Sequence, residues 1–306
     1  MKLIYFSDAH GKGKNSKNRL GDYFSDWLLK IDEAIQLTVD NGCEYMIIGG
    51  DVFDSPNVSN TVVDEFVDRI ENANIQCYIV PGNHDMSSHN WELSKTSALA
   101  HIFRRSKNIH ELTELETDDV YIKGIAYYHD IEEDIIKEGL KTNVTNKYTI
   151  VIPHAFITIK SFHPEVVHIK AEDIDCDYDL VLCSHFHEQW GVEEVNNSLY
   201  CNMGAFGRLS ITDTRYMPKV ALVDTEQRKI DIIELQSAKK SKDIFDVAKY
   251  EEIKANKKDI KEFIDSLRSV DLQSMDLGQQ ITRIGKEQKI KQNVIDHILN
   301  TMENVK

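Results

Sequence analysis

Short apolar runs and longer amphipathic stretches alternate along the front of this sequence. Residues 3–6, 45–48, 77–80, 149–152 and 180–183 are apolar and rich in β-branched or aromatic side chains. Such runs suit strands covered on both faces, because a strand with one wet face would alternate polar and apolar positions. Between the first two runs, Phe24, Trp27, Leu28, Ile31, Ile35 and Val39 recur at helical spacing, and Gly42 follows where a helix C-terminus favours glycine. The spacing predicts a helix over 22–41. Val62, Val63, Phe66, Val67 and Ile70 predict a second over 61–71, and a third is expected over 91–104. Strand–helix–strand alternation implies right-handed crossovers and helices packed over a largely parallel sheet. Residues 121–127 and 219–235, the latter with a central Asp-Thr-Glu-Gln turn, read as hairpin strands. The expected class is therefore α/β with mixed sheets.

Residues 235–242 are polar and carry no periodic pattern, so a boundary is expected there. This divides the chain into a domain over 1–235 and a linker with a helical region over 236–306. In the tail, Ile260, Phe263, Ile264 and Leu267 share one helical face; Ile290, Val294, Ile295, Ile298, Leu299 and Met302 share another. A connector is expected near 271–278.

Composition narrows the class. The chain has 306 residues, 41% of them hydrophobic and 28% charged, ordinary values for a globular protein. No apolar run approaches a membrane span, and the first residues lack the long apolar segment and cleavage site of a signal peptide. Five cysteines, Cys43, Cys77, Cys176, Cys183 and Cys201, form no C-x-x-C pair and suit reduced thiols. A cytoplasmic location follows as the expectation, the host's cytoplasm if the chain is phage-encoded. The net charge of −15 argues against a general nucleic-acid coat, although bound divalent ions would supply local positive charge. From Lys240 onward 13 Lys+Arg face 12 Asp+Glu, so nearly all the acidity lies ahead of the tail.

The chemistry-bearing residues stand immediately after predicted strands. Asp8-Ala9-His10 follows the first, Gly50-Asp51 and Asp54 the second, Gly82-Asn83-His84-Asp85 the third, His154 the fourth, and His185-Phe186-His187 the fifth. Ligands bind at the carboxyl ends of strands in α/β sheets, so distant groups are expected to converge on one rim. Asp8 and Asp51 offer carboxylate oxygens, Asn83 an amide oxygen, and His10, His154, His185 and His187 imidazoles. A mixed N/O set without thiolates suits Mn²⁺, Fe or Zn²⁺. Seven ligands suit two ions sharing a carboxylate, and paired ions can clamp the attacking and leaving oxygens of a phosphoryl displacement.

D-x-H, G-D-x-x-D, G-N-H-D, a lone His and H-x-H, in that order, resemble the calcineurin-like metallophosphoesterase superfamily. The resemblance implies a sandwich of two mixed β-sheets flanked by helices, here with a C-terminal helical appendage. It implies that Asp8, His10, Asp51 and His187 hold one metal, and that Asp51, Asn83, His154 and His185 hold the other. It places His84 against the phosphate as a catalytic group, with Asp85 orienting its ring. Pro153 and Ser184 stand before His154 and His185, where the superfamily often has Gly. Within it, Phe6-Ser7-Asp8-Ala9-His10, Gly49-Gly50-Asp51-Val52-Phe53-Asp54-Ser55-Pro56, and Ser184-His185-Phe186-His187 with the later Tyr200-Cys201-Asn202-Met203-Gly204 resemble SbcD-type DNA repair nucleases, including phage recombination-nuclease subunits. That resemblance implies a Mn-dependent DNA exo/endonuclease that forms a homodimer and whose C-terminal helices dock on an SbcC-type coiled-coil ATPase. The tail is too short and too helical for the DNA-capping domain of larger relatives. Asp54 is a candidate supporting residue, and Arg208 and Arg215 are candidate nucleic-acid contacts. Lys12, Lys14, Lys17 and Arg19 form a basic loop that can meet phosphates. The competing functions are a phosphodiesterase or phosphatase for small molecules or phosphoproteins, and a non-catalytic scaffold.

Overall fold

The computed structural model describes residues 1–246, apart from 17–18, 88–89, 164, 212 and 214, together with residues 282, 286, 295 and 296. Two compact units divide the chain, Met1–Phe245 and Asp246–Lys306. In the second, Thr282, Lys286, Ile295 and Asp296 are helical. The apolar stripes expected in the tail, Ile295 apart, lie outside the described residues.

In the first unit, β1 (Lys2–Phe6), β2 (Tyr45–Ile48), β3 (Gln76–Ile79) and β4 (Ile109–Glu111) run parallel. The hairpin β13 (Lys219–Asp224) and β14 (Lys229–Glu234) extends this sheet antiparallel to β1, giving the order β14-β13-β1-β2-β3-β4. A second six-stranded sheet, ordered β11-β12-β10-β7-β6-β5, contains β5 (Glu114–Glu116), β6 (Val120–Ile125), β7 (Tyr148–Pro153), β10 (Leu180–Leu182), β11 (Gly191–Val195) and β12 (Ser198–Asn202). β6, β7, β10 and β12 are parallel, and β5 and β11 are antiparallel edges. A short parallel pair, β8 (Ile157–Thr158) and β9 (Ile169–Lys170), lies between β7 and β10 in sequence. These are the two mixed sheets expected.

Alternation along the central strands explains the layering. Leu3 and Tyr5 of β1 join Ile47, Ile122, Ile150, Ile152 and Leu182 in the core between the sheets. Ile4 and Phe6 point the other way, into a core with Trp27, Ile31, Phe66 and Ile70 of α1 (Tyr23–Asp40) and α2 (Asn60–Ala73). A third core joins the outer face of the second sheet to Ile131 and Ile135 of α4 (Ile131–Glu138). No described helix is long and apolar enough to cross a membrane.

The local code explains most boundaries. Asp22 caps α1 by accepting from Phe24 and Ser25 N–H, and Gly42 follows its C-terminus at φ 61°. The third helix is shorter than the periodicity predicts. α3 spans only Ala98–Arg105 because Ser94 and Ser97 take their hydrogen bonds in turns ahead of it, with Ser97 as N-cap. The β11–β12 hairpin is invisible as an apolar run because it carries two glutamates, yet its turn is written in Asn196-Asn197, both left-handed at φ 51° and 69°.

The polar segment after β14 is bound to the first unit. Arg208 donates to the Lys239 carbonyl (2.5 Å), Leu20 N–H to the Ile244 carbonyl (2.6 Å), and Lys239 pairs with Asp26 (2.7 Å). Leu235, Ile244 and Phe245 are buried.

Candidate metal centre

The loops that leave β1, β2 and β3 in one sheet and β7 and β10 in the other meet at one end of the sandwich. Asp8, His10, Asp51 and His185 adopt left-handed backbone, with φ of 55°, 49°, 51° and 67°. Such conformations cost about 1–3 kcal/mol each in a residue with a side chain and persist where the surroundings enforce them. Here the loops lock one another. Asp8 N–H donates to Gly50 O (3.0 Å), His10 N–H to Asp51 O (2.8 Å), and His185 N–H to Asp8 Oδ2 (3.0 Å). A Cβ at Gly82 would overlap Asp51, and one at Gly50, where φ is +112°, would overlap His154. Both glycines therefore permit the close approach of a carboxylate and an imidazole.

Seven side chains converge. His10 Nε2 faces His187 Nε2 at 3.1 Å, and His187 Nε2 lies 3.6 Å from Asp8 Oδ1. On the other side His154 Nε2 lies 3.1 Å from Asn83 Oδ1, with the His154 and His185 rings 5.0 Å apart. Asp51 stands between the two groups. Its Oδ1 accepts from His84 N–H (2.8 Å), and its Oδ2 is 3.9 Å from His10 Nε2 and 3.5 Å from His154 Nε2. One atom each from Asp8, Asp51, His154 and His185 lie within 4.8 Å of one another, as do one each from Asp8, His10 and His187. Donors about 2.0–2.2 Å from a common ion have this spacing. Asp8 Oδ1 is moreover a buried oxygen without a hydrogen-bond partner, as a cation ligand would be. The residues fit a dinuclear site.

Electrostatics divide the four imidazoles into two that stay neutral and two whose protons an ion would have to displace. Burial pushes the His10 and His185 rings down to about 4, keeping them neutral as metal ligands must be. Burial also disfavours charge on His154, but Asp51 outweighs it and raises the ring to about 9; Asp213 and Asp8 likewise raise His187 to about 10. Burial works against ionisation of Asp8, but His187 overcomes it and holds the carboxyl well below its usual range.

Several supporting groups are not legible in the motifs. Asp213 Oδ1 lies 3.4 Å from His187 Nδ1, while its Oδ2 accepts from Leu209 and Ser210 N–H. The Gly49 carbonyl accepts from His154 Nδ1 (2.8 Å), which leaves Nε2 toward Asp51. The residues that replace glycine before the two histidines are joined, since Ser184 Oγ donates to the Pro153 carbonyl (2.8 Å).

Three expectations change. His84 Nδ1 is held by the Asp54 carbonyl at 3.0 Å, whereas the Asp85 carboxylate accepts from Val52, Phe53 and Gly82 N–H. Asp85 thus braces two loops, and the Asp54 backbone orients the His84 ring. Burial and then the Asp51 charge raise Asp85 to about 7. Asp54 also pairs with Lys12 (3.1 Å) and approaches His10 Nδ1 (3.9 Å). Arg208 is 3% exposed and spans Lys239 O and Met217 Sδ, which makes it a structural residue rather than a surface contact. Arg215 is exposed and pairs with Glu188 at 2.9 Å. Arg19 pairs with Asp26, and Lys17 lies outside the described residues.

Residues 1–189 match the calcineurin-like phosphoesterase family, and the chain belongs to it. Members are metal-dependent enzymes that hydrolyse phosphoesters at a dinuclear divalent site. The chain is also similar to the DNA double-strand break repair protein Mre11 of Thermoplasma acidophilum, 24% identical over 195 residues, which cover 60% of this chain and 51% of that protein. It thus spans about half the length of the curated relative it matches. One crystal structure superposes with a TM-score of 0.50 at 13% identity, covering 76% of this chain and 98% of that one. TT1561 of Thermus thermophilus gives 0.46 at 12% identity, covering 76% and 98%.

Proposed function

We propose that the chain is a DNA nuclease subunit of repair or recombination that hydrolyses phosphodiester bonds with two divalent ions, Mn²⁺ foremost. The observation that carries this reading is the placement of Asp51 Oδ2 between two groups of donors, 3.9 Å from His10 and 3.5 Å from His154. Asp8, His10, Asp51 and His187 would hold one ion, and Asp51, Asn83, His154 and His185 the other. Bound there, the ions supply positive charge that gathers a phosphodiester and a water and offsets charge on the phosphoryl oxygens.

The chain's own residues do the rest. His84 N–H fixes one oxygen of Asp51 and leaves the other facing His10 and His154, where the carboxylate would help hold the ions. The Asp54 carbonyl makes His84 Nδ1 a donor nitrogen and leaves Nε2 for the substrate, where the ring carrying a proton on both nitrogens would donate to the phosphate or the leaving oxygen. Asp85 holds the loops after β2 and β3 in register, and Asp213 and Gly49 aim His187 and His154.

Similarity to a double-strand break repair protein supports DNA as the substrate. A homodimer working with an SbcC-type coiled-coil ATPase, docked on helices of the tail, completes the reading, with the cytoplasm as its location. The test is incubation with Mn²⁺ and labelled single- and double-stranded DNA, beside bis(p-nitrophenyl) phosphate. Cleavage of DNA is expected. Hydrolysis of the small diester alone would redirect the assignment to a small-molecule phosphodiesterase.

A further inference from the structure

The cleft over the candidate ligands has a wall that phosphoester hydrolysis does not require. Its volume is about 410 Å³, in the range of small-molecule sites, and its floor includes Asp51, His84, His185 and His187. The wall is aromatic. Phe156 and Phe186 stack with centroids 4.7 Å apart at 27°, and Phe162 meets Phe186 edge-on at 5.4 Å and 73°. Phe156 in turn meets His185 edge-on at 5.9 Å, so the array begins on a candidate ligand ring. Its outer members are open to solvent, Phe162 at 37% and Tyr216 at 43% exposure. Large apolar rings grouped at the mouth of a cleft mark a binding surface more often than scattered ones do.

The charges beside the cleft point the same way. A chain of net charge −15 that held a polyanion by its phosphates would need uncommitted cations. Lys12 is held by Asp54 at 3.1 Å, Arg215 by Glu188 at 2.9 Å and Arg208 is buried, which leaves Lys14 and Lys160, the latter between Phe156 and Phe162 in sequence, exposed and without an ion pair among the described residues. Recognition by ring stacking needs no such cations. It does need a ring whose face is open, and a base inside a duplex has both faces covered by its neighbours.

Resting on the nuclease reading above, we propose that Phe156, Phe186 and Phe162, with Tyr216 at the mouth, bind an unpaired nucleobase beside the phosphodiester being hydrolysed. The preferred substrate is then single-stranded DNA or a nucleotide extruded from a duplex. Stacking accepts any base, so the preference is for unpaired structure and not for sequence.

The test compares kcat/KM on an oligothymidylate with that on a strand of equal length built from abasic tetrahydrofuran nucleotides, using the full chain with Mn²⁺. The base-bearing strand should be favoured by roughly 5- to 150-fold, the span of one aromatic–base stack. Phe162→Ala and Tyr216→Ala, both at exposed positions, should each shrink that ratio, and Phe162→Trp should preserve it. Equal rates on the two strands in the wild type would overturn the proposal, as would a ratio unchanged in both alanine variants. Faster cutting of intact duplex than of the single strand would do the same. Hydrolysis of bis(p-nitrophenyl) phosphate with no strand cut would remove the nuclease reading itself and the base platform with it, a result distinct from cutting both strands alike.

Discussion

His187 Nδ1 and Asp213 Oδ1 lie 3.4 Å apart, joining the last histidine of the motif series to a carboxylate that no motif contains. Leu209 and Ser210 N–H hold the other oxygen of Asp213, so the imidazole is aimed by a group that is itself fixed. Removing such a partner typically costs 10–100-fold in metal affinity. Asp213→Ala should therefore bind Mn²⁺ about 10- to 100-fold more weakly, measured by calorimetric titration, while Asp213→Asn retains part of the affinity. Wild-type affinity in both variants would remove Asp213 from the site.

Asp51→Asn should lose both ions. The carboxylate is proposed to be shared, and an amide offers one neutral oxygen in place of an anionic pair. Elemental analysis of the purified variant reads this directly, and two tightly held ions would show that Asp51 is not the bridge.

His84→Ala should keep its metals and lose turnover. The ring is held by the Asp54 carbonyl and is assigned to the substrate, so hydrolysis of DNA should fall roughly 10²–10⁴-fold, as for a lost general acid. Metal lost together with activity would place His84 among the ligands.

The metal-free protein should lose stability as pH rises from about 6.5, the ordinary histidine value. Nearby carboxylates raise His154 to about 9 and His187 to about 10. A raised group stabilises the fold fully below its unfolded value, and that contribution is gone once pH passes its folded value. Asp8 is shifted downward, so its share is present above the usual carboxylate range and fades as pH falls further. Burial lowers His10 and His185 to about 4, so those two favour the fold more as pH rises toward 6.5, and Asp85, raised to about 7, offsets only one of them. Thermal melts of chelator-treated protein should thus peak near pH 6.5 and decline toward pH 10, with 6.5 the ordinary histidine value and about 10 the raised value of His187. Mn²⁺ competes with protons for the same imidazoles, so its apparent affinity should rise over the alkaline part of that range. Metal affinity independent of pH would contradict the ligand assignment of His154 and His187.

A chain ending after Phe245 should keep its metals, whereas one ending after Leu235 should be destabilised. The shorter chain removes the Lys239 carbonyl from buried Arg208, and a buried polar group left unpaired costs about 1–3 kcal/mol; it also takes the buried Ile244 and Phe245 out of the core. Denaturant melts of the two truncations provide the comparison. Equal stability would show that residues 236–245 contribute nothing to the catalytic unit.

Much of the site was written locally. The five motifs each follow an apolar run, and a strand buried on both faces needs no partner to announce itself in sequence. Their order along the chain was enough to propose the ligands, and Gly50 and Gly82 carry the close approaches that the motifs require. Tertiary structure alone decided what those motifs touch. Asp213, 26 positions beyond His187, reaches it only because separate loops fold together. Asp85 stands next to His84 in sequence yet turns to Val52, Phe53 and Gly82, where three N–H groups converge on its carboxylate. Arg208 resembles a surface cation until its burial against Lys239 and Met217 is known. The aromatic wall draws Phe156, Phe162 and Phe186 from the three segments before β8, after β8 and after β10, which share no periodicity. Sequence patterns report what repeats along one element, and contacts between elements obey no such period.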